Sequence, residues 1–328
     1  MPPVTPSVDR PGSPSGRATA TAPGVTPSSS HHDALLPAIG LRLLSVLLFA
    51  GMNASIKLAQ QGGAALGEIL FFRQFGAALL VTTVIAAGPG LASIRTRRLG
   101  AHVTRATVGV ISMAFTFAAL IALPLAEAMT IAFTAPIFAT VMGALVLGEP
   151  TGWKRWAAVT AGFAGVLIVV QPGGHAIPLV GGLYGLVAAF LTAIVFILLR
   201  QIGRTEKAQT TVWWFSVLSL LPLGIVFAFE VHALPARTWA TLAMVGLFGG
   251  GAQLAMTSSL RRGAVSLVVP FDYTSLLWAS LLGWWLFGTI PRETTWIGAP
   301  IIILSGLYIV WREHVRRREQ TAAAITPD

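Results

Sequence analysis

The 328-residue sequence is 55% hydrophobic and only 10% charged, with a mean hydropathy of +0.75. These values exclude an ordinary soluble domain, in which about a quarter of the residues are charged. The absence of cysteine excludes disulfides and thiolate metal sites. The net charge of +10 is scattered between apolar runs, a pattern that argues against a nucleic-acid partner.

In chain order, a polar tail rich in Pro, Ser and Thr occupies residues 1–33. It is predicted to be disordered because it cannot bury enough apolar surface. The rest divides into apolar segments of about 20 residues, the length that crosses a bilayer core. Ten transmembrane helices are predicted, over residues 36–60, 66–87, 104–124, 126–147, 153–171, 180–201, 209–229, 237–259, 264–287 and 293–311.

The lysines and arginines alternate between the two sides of this ten-helix arrangement. Nearly all of them, Arg42 and Arg105 included, fall on the side of the two tails and of the loops after helices 2, 4, 6 and 8. The positive-inside rule therefore places both termini in the cytoplasm of a multi-pass inner-membrane protein. The other side retains only Lys57, Arg73, Arg237 and Arg292.

The two halves of the chain resemble each other at one constant offset. Because each half holds an odd number of spans and the matching loops have opposite charge bias, the second half is predicted to lie upside down. Inverted repeats are typical of secondary transporters, which bind substrate near the midplane. The predicted fold is therefore an all-α integral membrane protein with ten helices in two inverted five-helix repeats. The aligned pairs are Thr134/Thr274, Ala139/Ala279, Gly143/Gly283, Gly148/Gly288 and Trp156/Trp296.

Polar side chains within the spans indicate which helices line a cavity, because polar groups that face lipid are costly. Helices 5 and 10 carry almost none and are predicted to be peripheral, whereas helices 1, 2, 3, 4, 8 and 9 surround a polar cavity. Single hydroxyls are expected to bond back to their own helix. The candidate substrate-binding residues are Arg73, Asp272, Tyr273, Asn53, Phe72, Gln253, Trp214 and Trp278, with Lys57 and Glu68 as a solvated pair at the outer mouth.

Two charged residues lie deep within predicted spans. At the helical rise per residue, Arg73 lies about 10 Å below the outer surface and Asp272 about 12 Å from the inner one. Burying either costs roughly 2.5 to 3.5 kcal/mol, so a partner is expected. Three alternatives stay open: recognition of an anionic or zwitterionic, ring-bearing solute, a structural ion pair between the two, or extension of Arg73 to the outer interface.

Glycine and proline residues occur within the predicted spans. The spacing of Gly246 and Gly250 lets helix backbones approach each other closely. Pro136 and Pro270 interrupt helices and free carbonyls that must be satisfied inside the protein. Pro270 stands two residues before Asp272, so this turn is a candidate hinge or site.

A family resemblance rests on one stretch of the sequence. That stretch reads Leu123-Pro124-Leu125-Ala126-Glu127-Ala128, then Pro136, Gly143, Leu147-Gly148-Glu149, Trp156 and Gly162 to Gly165-Val166. It resembles the EamA-type permeases of the drug/metabolite transporter superfamily and is similar to the subgroup of riboflavin and S-adenosylmethionine uptake carriers. The resemblance implies two EamA-like repeats, at 34–174 and 175–312, between a disordered cytoplasmic tail (1–33) and a basic cytoplasmic tail (313–328). Glu149, replaced by Thr289 in the second copy, is expected to be structural.

The resemblance implies a permease that moves a small polar, zwitterionic or ring-bearing metabolite by alternating access. Candidate substrates are S-adenosylmethionine, riboflavin or amino acids. The alternatives are an exporter of the same fold and a non-transporting receptor or scaffold. No enzymatic activity, cofactor or metal is expected, because the spans lack a hydrolase or zinc motif and a second mid-span aspartate. The expected partners are the small-molecule substrate and the lipid bilayer, with the chain as a monomer or loose homodimer.

Overall fold

A computed structural model describes residues 30–145, 152–171, 178–203, 205–262 and 269–325. Within these ranges the chain is helical and contains no strand. Residues 1–29 of the predicted tail, Glu149 and residues 263–268 lie outside them. The α-helices are α1 (Ser30–Gln61), α2 (Leu66–Ala87), α3 (Leu99–Ala122), α4 (Leu125–Ala132), α5 (Ala135–Leu145), α6 (Trp153–Val170), α7 (Leu179–Ile202), α8 (Ala208–Glu230), α9 (Ala236–Arg262), α10 (Ser275–Phe287) and α11 (Glu293–Ile325), with 3₁₀ helices at Leu91–Ile94 and Val269–Thr274.

Nine segments of the described chain are long and apolar enough to cross a membrane. They correspond to nine of the ten predicted spans, and the bounds of α2 coincide with the prediction. The exception is the predicted span 264–287, of which α10 supplies 13 α-helical residues. Both predicted tails are partly helical: α1 begins at Ser30, and α11 continues to Ile325 because its Arg, Glu, Gln and Ala residues favour helix.

The predicted fourth span is two helices rather than one. α4 ends at Ala132 and α5 begins at Ala135. Pro136 explains the break, because its nitrogen cannot donate a hydrogen bond to the carbonyl of Ala132. The backbone N–H of Thr134 instead donates to the carbonyl of Ile131 over 3.0 Å, and the Thr134 hydroxyl donates to the same carbonyl over 2.7 Å.

The helices pack mainly in pairs that are distant in sequence. α1 packs along α9, α3 packs along α7, and α2 lies against both α8 and α9. α6 and α11 pack on each other and otherwise contact α4 and α5, in the peripheral position that the scarcity of polar residues predicts. The candidate site therefore lies among the remaining helices.

The contact between α2 and α9 depends on glycine. A Cβ atom at Gly76 would collide with the backbone of Gly246, and the carbonyl oxygen of Phe72 would lie 2.8 Å from a Cβ at Gly246. A Cβ at Gly250 would lie 3.2 Å from Cα of Ala77. Backbones at this separation gain van der Waals contact that larger residues would prevent.

We expect Gly76→Ala to lower the thermal stability of the purified protein by about 1 to 3 kcal/mol, because the added methyl overpacks a backbone contact. Gly40→Ala in α1 is the matched control, since nothing lies within 4 Å of a Cβ there. Thermal unfolding in a neutral detergent measures both variants. Equal melting temperatures for the two variants would contradict the close approach of α2 and α9.

Candidate functional site

Asp272 forms its ion pair with Arg42 of α1. Arg42 Nε donates to Asp272 Oδ1 over 2.5 Å, and a terminal guanidinium nitrogen donates to Oδ2. Arg42 is only 6% exposed, whereas the Asp272 side chain remains 38% exposed. The pair ties α1 to the 3₁₀ turn before α10. The predicted alternative of an Arg73–Asp272 ion pair is therefore wrong.

Arg73 is buried in α2, with 8% of the residue exposed. One terminal nitrogen of its guanidinium donates to the side-chain oxygen of Gln74, and Nε has no hydrogen-bond partner. Its Cζ lies 5.9 Å from the centroid of the Phe215 ring in α8. Among the described residues, no carboxylate forms an ion pair with Arg73. This side chain does not extend to the outer interface, because it is buried.

Arg105 of α3 approaches the same ring. Its Cζ lies 4.2 Å from the Phe215 centroid, and Nε and one terminal nitrogen are buried without a hydrogen-bond partner. A Cβ at Gly109 would collide with this guanidinium, so glycine makes room for it. Charge counting by loop assigns Arg105 to the cytoplasmic loop between the second and third predicted helices. Its position within the apolar run that forms α3 is the sequence feature that could have indicated contacts with other helices.

Lys57 and Glu68 do not form the predicted solvated pair at the outer mouth. Lys57 is half-buried and donates to the carbonyl oxygen of Leu123 over 2.5 Å. Glu68 is fully buried and accepts a hydrogen bond of 2.8 Å from the backbone N–H of Ala65, closing the first turn of α2. Glu68 adopts this position because acidic side chains in the first turn satisfy free N–H groups at the helix start.

A cluster of polar groups joins the start of α2 to the end of α8. The Glu230 carboxylate accepts a 2.9 Å hydrogen bond from the backbone N–H of Gly67. Nδ1 of His232, in the loop after α8, lies 2.9 Å from the carbonyl oxygen of Glu230 and 3.5 Å from Oε1 of Glu68. The hydrogen bond to the Glu230 carbonyl, assisted by the nearby Glu68 carboxylate, raises the pKa of His232 above its ordinary value.

The predicted aromatic site residues have separate surroundings. Phe72 belongs to a cluster with Phe71, Phe227 and Trp239, with ring centroids 5.7 to 5.9 Å from its own. Tyr273 packs against Phe133 at 4.9 Å. Phe72 and Tyr273 thus take part in helix packing, and both remain partly exposed.

Two other predicted tryptophans differ in how they are held. Trp214 donates from Nε1 to the carbonyl of Ile94, in the 3₁₀ helix between α2 and α3, and its ring stacks on His102 at 6.0 Å. Trp214 therefore anchors this connecting segment. Trp278 in α10 is partly exposed.

The remaining candidates lie on α1 and α9. Nδ2 of Asn53 lies 3.3 Å from the sulfur of Met129 in α4. Gln253 is partly exposed, and its backbone carbonyl accepts from the Thr257 hydroxyl. The hydroxyls of Thr116 and Thr130 likewise donate to carbonyls four residues earlier. These hydroxyls satisfy their own helices, as expected.

A pocket of about 230 Å³ opens between the end of α1 and the start of α9, and Arg237 and Thr238 are among the residues that line it. No predicted site residue lines it. Its volume is below the roughly 300 Å³ of typical small-molecule sites. In the part of the chain that the structure describes, no group of three or more His, Asp or Glu side chains is arranged to hold a metal ion.

The nine described helices that are long and apolar enough to cross a membrane define a multi-pass helical membrane protein. The EamA-like transporter family model matches the chain twice, over residues 36–171 and 179–311. The chain belongs to this family, an EamA permease of the drug/metabolite transporter superfamily.

Relatives of this family carry different transport names. A riboflavin transporter of Rhizobium johnstonii is 30% identical over 76% of this chain and 82% of its own. The pseudopaline exporter CntI of Pseudomonas aeruginosa is 25% identical over 83% of this chain and 95% of its own. An S-adenosylmethionine uptake transporter of Rickettsia bellii is 24% identical over 75% and 84%. A solved protein crystal structure has a similar fold, with a TM-score of 0.57 and 22% identity, covering 86% of this chain and 98% of that one.

We expect Arg42→Gln and Asp272→Asn each to lower the melting temperature, and the double variant to lose less than the sum of the two. The coupling should be about 0.5 to 1 kcal/mol, at the low end for contacting residues, because the exposed part of Asp272 is screened by solvent. Arg95→Gln, an exposed arginine, controls for net charge. Strict additivity in thermal unfolding would rule out the ion pair.

The raised pKa of His232 predicts a pH-dependent contribution to stability. Protonated His232 should stabilise the contact between the start of α2 and the end of α8 below about pH 6.5, the pKa of an unfolded histidine. This effect should be lost as pH rises through the higher folded pKa. His232→Gln should therefore lower the melting temperature in acid and leave it unchanged in mild alkali. A difference between the two proteins that stays constant with pH would refute this assignment.

Proposed function

We propose that this protein is a secondary transporter that moves a small polar metabolite, zwitterionic or ring-bearing, across the inner membrane by alternating access. The observation that carries the proposal is a buried arginine in a family of transporters. Arg73 lies about 10 Å inside α2, is 8% exposed, and lacks an ion-pair partner among the described residues. A charge buried at membrane depth is typical of a substrate pathway.

We further propose that the chain has ten spans in two inverted five-helix repeats. The family model matches each half once. The α-helix after each break begins at equivalent positions, Ala135 in the first half and Ser275 in the second. The preceding threonines, Thr134 and Thr274, each donate to the carbonyl three residues earlier, over 2.7 and 2.6 Å. The ninth span in chain order, which brings the total to ten, would include the 3₁₀ turn and α10.

Contacts between α6 and α11 also support an internal two-fold relation. At the repeat offset, Ala158 corresponds to Gly298 and Gly165 to Ser305. A Cβ at Gly165 would lie 3.1 Å from the carbonyl oxygen of Gly298, and the Ser305 hydroxyl donates to the carbonyl of Ala158 over 2.5 Å. Each contact is the counterpart of the other, as in an isologous interface. The pair α1–α9 corresponds in the same way to the pair α7–α3, because α1 and α7 are the first helices of the two halves and α3 and α9 are the third.

The proposed orientation has both termini in the cytoplasm, which follows from the side on which lysine and arginine accumulate. The proposed cavity has Arg73 at its centre, with Asn53 and Gln253 on the neighbouring α1 and α9. Asp272 is proposed to contribute indirectly, because its ion pair with Arg42 joins α1 to the second half of the chain. The functional unit is proposed to be a monomer or loose homodimer that needs no cofactor.

The candidate substrates are riboflavin, S-adenosylmethionine and amino acids. The named relatives include both uptake carriers and an exporter, so either direction fits this fold. Arg73 favours solutes with a carboxylate or another planar acceptor, because guanidinium binds such groups through two parallel hydrogen bonds.

The purified protein in proteoliposomes should exchange at least one of these labelled compounds across the bilayer. Arg73→Lys should raise the half-saturation concentration about tenfold or more, because it keeps the charge but loses a charge-assisted hydrogen bond, and Arg73→Gln should abolish exchange. Arg95→Gln, on the exposed loop before α3, is the charge-matched control.

Absence of flux for every compound, in vesicles that contain folded protein, would favour the receptor or scaffold alternative. Wild-type exchange by both Arg73 variants would instead make Arg73 a structural residue and contradict its place in the cavity.

A further inference from the structure

Two arginines, the buried Arg73 and the half-buried Arg105, approach one ring, and no described carboxylate pairs with either. The guanidinium carbons of Arg73 and Arg105 lie 5.9 and 4.2 Å from the centroid of Phe215. Arg73 Nε, Arg105 Nε and one terminal nitrogen of Arg105 are buried and lack hydrogen-bond partners. Two like charges and three unsatisfied donors therefore share one region between α2, α3 and α8.

The carboxylates whose side chains the structure describes are engaged elsewhere or exposed. Asp272 pairs with Arg42, and Glu127 accepts hydrogen bonds from Arg292 and Thr295. Glu68 accepts a hydrogen bond from the backbone N–H of Ala65 and lies near His232. Glu230 accepts from the backbone N–H of Gly67, and Glu206 accepts from the Thr96 hydroxyl. Glu293 is exposed. Arg73 and Arg105 are consequently not neutralised by any carboxylate that the structure describes.

The surroundings of the two arginines are built to hold guanidinium groups. Gly109 leaves room for Arg105, and a Cβ at Gly249 would lie 3.4 Å from Cγ of Arg73. The face of Phe215 attracts cations, but the quadrupole of one ring is too weak to balance two guanidinium charges. Each buried donor without a hydrogen-bond partner also destabilises the protein. An anion between the guanidiniums would remove both costs.

We propose that Arg73 and Arg105 together bind an anionic group, carboxylate or phosphate, of the transported solute. This inference rests on the proposed transport function and narrows its substrate class. Arginine forks match the planar oxygens of carboxylate and the oxygens of phosphate. His102, one turn before Arg105 on α3, is 1% exposed with both ring nitrogens unpartnered, and it adds a polar group at the inner end of the same helix face.

Thermal unfolding of the full-length protein in neutral detergent tests the site directly. Phosphate and citrate, each compared with chloride at equal ionic strength, should raise the melting temperature of the wild-type protein. Arg73→Gln and Arg105→Gln should each weaken the anion affinity about tenfold or more, since each removes a charged donor. Arg95→Gln should keep wild-type affinity. Equal melting temperatures in all three salts would overturn the proposal.

Riboflavin and its phosphate ester, flavin mononucleotide, form a matched pair of probes that differ in one anionic group. Quenching of flavin fluorescence by the wild-type protein should give tighter binding of the phosphate ester. Arg105→Gln should remove this preference. A preference that survives in both the Arg73→Gln and Arg105→Gln variants would overturn the assignment.

Arg105→Lys, which keeps the positive charge, replaces Arg105→Gln in these measurements if Arg105→Gln does not fold. Wild-type anion affinity in Arg105→Lys would overturn the role of the guanidinium group.

A lipid headgroup offers the same chemistry as a soluble phosphate. Stabilisation by phosphatidylglycerol in phosphatidylcholine vesicles, without stabilisation by soluble anions, would overturn the solute site in favour of a lipid site.

The two proposals fail in different ways. Anion binding that depends on Arg73 and Arg105, in a protein without flux, would leave the anion site standing and refute transport. Flux that Arg105→Gln does not change, for an anionic compound that the protein exchanges, would refute the anion site and leave transport standing.

Discussion

Every polar group within the bilayer must find its partner inside the protein, because lipid offers no hydrogen bonds. The hydroxyls of Thr116, Thr130 and Thr257 meet this constraint by donating to carbonyls of their own helices. The Thr134 hydroxyl does the same where Pro136 breaks a helix. Such local solutions need no cavity, so a hydroxyl in a span carries little information about function.

Charges obey the same constraint but cannot be satisfied locally. Arg42 and Asp272 meet it through each other, which fixes α1 against the turn before α10. Arg73 and Arg105 share only a ring face and, in the part of the chain that is described, no carboxylate. The ion pair between Arg42 and Asp272 is therefore interpreted as structural. Arg73 and Arg105, which lack a described carboxylate partner, are the charges that we propose to bind the solute.

Local sequence properties predicted most of the fold. Apolar length gave the bounds of α2 and the start of α6 at Trp153, and the scarcity of polar residues gave the peripheral position of α6 and α11. Partners distant in sequence could not be predicted in this way. The side chain that reaches Asp272 comes from Arg42, 230 residues away, and the contact of Arg105 with Phe215 depends on how α3 packs against α8. Charge counting by loop assigned both arginines to one side of the membrane, and it could not predict these contacts.

The interruption between α4 and α5 has a mechanical consequence. A continuous α-helix transmits a displacement at one end to the other as a stiff rod, because each turn is bonded to the next. Thr134 lies about 13 Å from the start of α4, and the α-helical hydrogen bonding is interrupted there. The 3₁₀ turn ending at Thr274 precedes α10 at the equivalent position of the second half. We infer that the two pieces on either side of such an interruption can tilt relative to each other, which is the freedom that the proposed alternating access requires.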